Sequence, residues 1–188
     1  RDVELLAELS RGPGADVAIS LPFLDPETAR AVEPWASSPA RRLRAMRVLA
    51  DAGVSVGVAA APLIPGLNDA TLPETLRAAR EAGATRAWTT LVRLPREVLP
   101  VFTERLTAAL PLKAEKVLAA LREARGGVRL TSGAFGERMR GTGQRYEAAM
   151  QLFRLEAKRL GLSVSSFEED FVPRVTRGKR KRQLDLFS

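Results

Sequence analysis

The sequence predicts an α/β fold: a partial, half parallel α/β barrel, followed by a helical C-terminal region and a basic tail. Three observations predict it. Strand-like apolar runs alternate with amphipathic helical stretches three times, the signature of βα units. The runs begin near residues 15, 54 and 85, a spacing of roughly 30 to 40 residues, usual for βα repeats. They are apolar without alternation, as strands covered by helices on both faces must be.

Each element follows from local chemistry. Asp2 to Ser10 carries Val3, Leu5, Leu6 and Leu9 at helical spacing, and Ala15 to Leu21 is a short apolar strand. Asp25-Pro26-Glu27 opens a helix, with Asp as N-cap and Pro at the first helical position. Ser38-Pro39 repeats that signal, and the helix it opens turns Leu43, Met46, Val48 and Leu49 inward and ends at Gly53. Val54 to Ala61 is the second strand, Thr71 to Ala82 a helix stopped by Gly83, and Thr85 to Arg93 the third strand. Pro95–Leu110 and Leu112–Arg125 are further helices divided by Pro111. The stretch 125–144 holds six of the fourteen glycines and reads as turns. Tyr146 to Leu160 is an amphipathic helix with Tyr146, Met150, Phe153 and Leu160 near one face, and Phe167 to Pro173 is irregular. The expected division is 1–110 as the half barrel, 111–172 as a helical, glycine-rich extension, and 173–188 as tail.

Three parallel strands cannot close a barrel and would leave two open edges. Two readings remain: a small open α/β sheet, or the second half of a larger barrel whose first strands lie upstream. The first residue is Arg, not Met, which favours the second.

Composition excludes some chemistry. The 188 residues include no Cys and no His, so this chain offers no disulfide, thiol nucleophile or imidazole base, and no thiolates for an iron–sulfur cluster. Metal ligands are expected nowhere in it. The net charge is +8, but Arg174, Arg177, Lys179, Arg180, Lys181 and Arg182 supply six cations within ten acid-free residues. Without them 24 basic residues face 22 acidic ones. The basicity is a tail, suited to solvation and to nonspecific phosphate contact.

In parallel α/β folds ligands bind at the carboxyl ends of the strands. Three ends stand out: Ser20 before Leu21-Pro22, the run Pro62 to Asn68, and Arg93 before Leu94-Pro95. Pro62 and Pro65 fix a rigid exit from the sheet, with Leu63 and Ile64 available as an apolar wall. Turn chemistry alone accounts for this segment equally well.

The combination ISLPFLDPETARAVEPWASSPARRLRAMRVLADAGVSVGVAAAPLIPG resembles the middle of radical S-adenosylmethionine proteins, in the branch like spore photoproduct lyase. The matching pieces are Ser20, Glu33-Pro34, Ser37-Ser38, Arg42-Leu43, Ala52-Gly53 and Ala61-Pro62-Leu63-Ile64. LVRLPREVLPVF, ARGG and FGERMRGTG also resemble that family, so most of the chain is covered. The resemblance implies a half barrel of the radical S-adenosylmethionine type. It also implies that the segment Pro62, Ile64, Pro65 stands against the adenine of S-adenosylmethionine, that Ser20 meets its methionine part, and that Glu33 and Arg42 lie near the same mouth. Arg42 would pair a carboxylate. The plainer alternatives are a helix-surface charge for Arg42, beside Arg41 and Arg44, and a solvated loop carboxylate for Glu33. Arg93 faces the mouth by the strand-end argument, for a phosphate, a carboxylate or a rim salt bridge.

In that family a Cys-x3-Cys-x2-Cys loop holds a [4Fe–4S] cluster that cleaves S-adenosylmethionine to a 5′-deoxyadenosyl radical. No such loop is present, and it would fall before Arg1, so this chain alone is expected to be inactive. Ser55 stands where the lyase has a basic residue, and the lyase's further catalytic cysteine is missing. The lyase's own substrate therefore does not carry over, though nucleic acid remains the substrate class suggested. A bacterial cytoplasmic location is expected from the resemblance.

The last residues, Gln183-Leu184-Asp185-Leu186-Phe187-Ser188, place apolar side chains after a basic run. QLDLF resembles the peptide by which bacterial replication and repair proteins dock on the DNA polymerase sliding clamp. Gln183 would fill a polar subsite, and Leu184, Leu186 and Phe187 an apolar pocket. The alternatives are a terminal staple on the chain's own body or a cluster-free adaptor acting through this tail on the clamp or on DNA.

Overall fold

The computed structural model describes residues 2–12, 14–127 and 141–164. Four parallel strands form one open sheet in the order β1 (Asp16–Ser20), β2 (Ser55–Ala59), β3 (Arg86–Trp88) and β4 (Ser163–Val164). Seven helices accompany them among the described residues: α1 (Val3–Arg11), α2 (Pro26–Val32), α3 (Pro39–Asp51), α4 (Leu72–Glu81), α5 (Leu99–Ala109), α6 (Pro111–Ala124) and α7 (Gln144–Arg159). The α/β class is as predicted, and the sheet is not a closed barrel. None of these helices is long and apolar enough to cross a membrane.

The caps form as the sequence indicates. Asp25 accepts from Thr28 N at 2.8 Å and from its hydroxyl at 2.6 Å. Those two bonds hold its carboxyl below the usual range. Ser38 caps α3 through Arg41 N.

Helices α1, α3, α4 and α7 cover one face of the sheet. Ala7, Met46, Leu49, Leu72, Leu76, Phe153 and Ala157 pack there with Val56, Val58 and Ala87. Val48 does not join them. It is 43% exposed because Met46 and Leu49 define the inward face of α3, and Val48 turns instead toward the groove between α1 and α3. A second apolar cluster lies beyond the strand ends, where Phe23, Ile64, Val92 and Leu94 meet Leu106 of α5 and Val117 and Leu121 of α6. Gly66 lets α6 approach: a Cβ there would lie 3.2 Å from Val117 Cα, and its φ is +85°.

The other face of the sheet differs from expectation. β2 is nearly buried, but β1 alternates, with Asp16, Ala18 and Ser20 exposed. Among the described residues it is an edge strand, and they leave its second face without the cover that an interior parallel strand receives. On this face Trp88 lies over Gly57, where a Cβ would come within 2.7 Å of the indole. Arg86 of β3 reaches past β2 to Asp16 of β1, 2.9 Å away.

Several boundaries moved, and one strand was added. The third strand was expected over Thr85–Arg93 but keeps its ladder only over Arg86–Trp88. Pro62 has no N–H to contribute, so pairing lapses there. It resumes where Leu63 N–H donates to Thr90 O at 2.7 Å and Leu63 O accepts from Val92 N at 2.9 Å. α5 starts at Leu99 rather than Pro95, because Pro95 O closes a turn with the N–H groups of Val98 and Leu99. β4, from the segment expected to be a helical extension, adds a fourth strand beside β3.

Candidate functional site

Ser20, Glu33 and Arg42 come together at the carboxyl end of β1. The Arg42 guanidinium joins three chain segments. Nε donates to Ser37 O at 2.9 Å, one terminal nitrogen to Ser20 O at 2.9 Å, and the other to Glu33 Oε2 at 2.7 Å. Ser20 Oγ donates to Ala61 O at 3.0 Å, tying β1's end to the residue before Pro62. The Ala61–Pro62 bond is cis.

One alternative is corrected. Arg42 is no plain surface charge, since its side chain is only 14% exposed. It does pair a carboxylate, that of Glu33, through one nitrogen, and its other two nitrogens go to carbonyls. It organises the mouth. Glu33 keeps 30% of its side-chain surface and, with exposed Ser20, is open to a ligand.

The expected wall at Pro62–Pro65 is also corrected. Ile64 is 1% exposed, in the second apolar cluster. Its N–H donates to Asn68 Oδ1 at 2.7 Å. Leu63 and Pro65 are buried too. Core packing claims these side chains, and Pro62 alone of the four keeps partial exposure.

Asn68 is a residue the sequence reading missed. It is 1% exposed, and its amide nitrogen donates to Pro22 O and to Pro62 O, each at 3.0 Å. One buried carboxamide therefore fixes the loop after β1 to the loop after β2. Asp69 beside it accepts from Arg145 Nε of α7 at 2.7 Å. The available signal was an Asn-Asp pair just after Pro-Gly at a strand end, where short polar side chains satisfy turn backbone.

Arg93 is exposed, and its side chain makes no ion pair or hydrogen bond among the described residues. The nearby Arg125 was also missed. It donates to Val92 O at 2.7 Å, and burial lowers its pKa. Gln183, Leu184, Leu186, Phe187 and the basic tail lie outside the described residues, as do Phe167–Pro173 and most of FGERMRGTG.

The mouth thus offers a partly exposed carboxylate held by an arginine, a hydroxyl at a strand end and an exposed cation across the sheet. It can orient a zwitterion. Among the described residues it carries no cluster of metal-ligating side chains.

No family model matches the chain, and no solved structure matches it. An uncharacterized protein of Mycobacterium bovis and two of Mycobacterium tuberculosis are each 37% identical to it over 87 residues, 45% of this chain and 26% of theirs. The match spans about a quarter of the length of these curated relatives.

Proposed function

We propose that this chain is part of a radical S-adenosylmethionine iron–sulfur enzyme, contributing the half of a barrel whose strand ends receive the cofactor. The whole protein would abstract hydrogen from a substrate of the nucleic-acid class. The observation that carries this reading is the Ser20–Glu33–Arg42 cluster at the carboxyl end of a parallel sheet, where such folds bind ligands.

The fit to the two groups differs. With no Cys or His, this chain does not itself hold a [4Fe–4S] cluster, and the ligands would have to come from elsewhere in the protein. The amino-acid end of S-adenosylmethionine does fit the residues present. Glu33 would accept from its ammonium, held in place by Arg42, and Ser20 would meet it at the strand end. Arg93 would face the substrate side of the mouth. When bound and cleaved, S-adenosylmethionine supplies a 5′-deoxyadenosyl radical. This chain's residues bind and orient; they move no electron.

The test is equilibrium dialysis of S-adenosylmethionine with the whole protein, reconstituted anaerobically with iron and sulfide. Binding that weakens at least ten-fold in Glu33→Gln supports the reading. A whole protein that binds no S-adenosylmethionine and shows no cluster absorbance overturns it.

One further feature favours a second reading, a cluster-free adaptor for the DNA sliding clamp. It is the terminal Gln183-Leu184-Asp185-Leu186-Phe187 after an acid-free basic run. Clamp binding that is lost in Leu186→Ala/Phe187→Ala, yet unchanged in Glu33→Gln, would support the adaptor. Absence of clamp binding by the whole protein removes it.

A further inference from the structure

Trp35 is 98% exposed, which is unusual for the largest apolar side chain. It is not on a loose loop. Glu33–Pro34–Trp35–Ala36 is a tight turn, closed by Ala36 N–H donating to Glu33 O at 3.0 Å. Pro34 fixes φ at the second position of that turn. Arg42 binds Glu33 Oε2 on one side of the turn and Ser37 O on the other. A single guanidinium therefore holds both ends of the segment that presents the indole. A rigid exposed Trp offers contact area at little entropic cost on binding.

The charge beside it is one-sided. Residues 34–50 contain Arg41, Arg42, Arg44 and Arg47 and no carboxylate. Arg42 is committed to the turn, and Arg47 donates to Glu81 O at 2.6 Å. Arg41 and Arg44 are exposed, one helical turn apart, and line the same groove of about 400 Å³ between α1 and α3. The opposite wall carries Asp2, Val3 and Leu6.

We infer that Trp35 is a stacking platform for a base of single-stranded nucleic acid, with Arg41 and Arg44 contacting its phosphates. Every base has a flat face, so stacking is tolerant of sequence, and arginines tracking the backbone complete the usual arrangement. A protein pocket would also accept an indole, but Arg41 and Arg44, both exposed, face a single carboxylate in that groove, Asp2, and a net positive groove suits a polyanion better. The inference deepens the nucleic-acid part of the reading above and rests on it for substrate class. It uses none of the cofactor chemistry.

The experiment needs no S-adenosylmethionine, iron or sulfide, so its outcome is separable from that of the dialysis test. The full chain is titrated with oligo(dT) of about 12 nucleotides, and tryptophan fluorescence is followed. The other tryptophan, Trp88, is 8% exposed, so the quenchable signal belongs to Trp35. The expected result is strong quenching in the unaltered chain; in Trp35→Ala, where that signal is gone, affinity is read from the anisotropy of fluorescein-labelled oligo(dT) and should fall about ten-fold or more. In Arg41→Ala and Arg44→Ala the quenching at saturation should persist, while the slope of log affinity against log salt drops by about 0.7 for each. Far-ultraviolet circular dichroism checks that the variants fold. Absence of quenching at saturation overturns the proposal, and so does unchanged affinity in Trp35→Ala, which would leave only tail electrostatics. Protection of Trp35 from acrylamide by a protein partner, with no effect of oligonucleotide, would assign the indole to a protein pocket instead.

Discussion

Asn68→Ala should be among the most damaging single changes in this chain. Asn68 makes three bonds, from Ile64 N and to Pro22 O and Pro62 O. Removing the carboxamide strands all three groups. The Ile64 and Pro22 groups sit in buried bonds, while the Pro62 carbonyl is in a partly buried one that water can reach in part. A buried group left unpaired costs about 1–3 kcal/mol, so two in full and one in part give about 3–5 kcal/mol. With a urea slope of about 2 kcal/mol/M for a chain of this size, the midpoint should drop by about 2 M. Asn68→Asp sharpens the test. It keeps the acceptor for Ile64 N but sets a carboxylate oxygen against two carbonyls, so at neutral pH it should be at least as destabilising as Ala. Acidifying toward pH 4 should recover part of the loss, as the protonated carboxyl regains one donor. Urea unfolding followed by circular dichroism measures both. A loss below about 1 kcal/mol in Asn68→Ala, or Asp better tolerated than Ala at pH 7, would refute the view that this carboxamide ties the two loops.

Other changes test other parts. Arg42→Lys cannot reach three acceptors at once and should cost about 1–3 kcal/mol. It should also speed proteolysis within residues 33–37, and unchanged cleavage would count against the clamp around the Trp35 turn. Glu156 accepts from Arg159 at 2.9 and 2.6 Å, and that bond, with Arg77 nearby, holds its carboxyl below the ordinary range. A depressed folded-state pKa stabilises at pH above the unfolded value, and the contribution disappears as pH falls through the folded one. Glu156→Gln should therefore lower stability at neutral pH and flatten its decline in acid, and an unaltered acid limb would contradict this. Gly57→Ala puts a methyl 2.7 Å from the Trp88 ring and should cost about 1–3 kcal/mol through overpacking. The emission of Trp88 should shift, and a wild-type spectrum and midpoint would show that the ring yields freely.

What could be read from sequence was what local chemistry encodes. Asp25-Pro26 and Ser38-Pro39 announce helix starts because the cap and the missing N–H act within one turn. Val56, Val58 and Ala87 declare buried strands through an apolar run. β4 was illegible because two residues, Ser163 and Val164, carry no periodicity, and only pairing with Arg86 and Ala87 makes them a strand. Ile64 looked available because an apolar residue between prolines reads the same whether it faces ligand or core. Helices α5 and α6 decide that, and they are distant in sequence. Ser20 was singled out by its place at a strand end, Glu33 and Arg42 through family resemblance. Their joining by one guanidinium depends on the angle at which α3 returns to β1, which no spacing rule supplies.

The pairing order of the sheet has a consequence for assembly. Asp16 pairs with Ser55 and Gly57 with Arg86, but Arg86 pairs with Ser163. The first ladder closes over α2 and α3 and the second over α4 alone, but the third waits for α5, α6 and α7 to be made. Until Val164 has been synthesised, β3 is an open margin, although Phe153 can already cover β2 and β3. Among the described residues, the β3 edge therefore stays bare for much of synthesis and is covered only when that part is nearly complete. Chaperone dependence, and aggregation of chains cut short before residue 160, would be the visible signs of that delay.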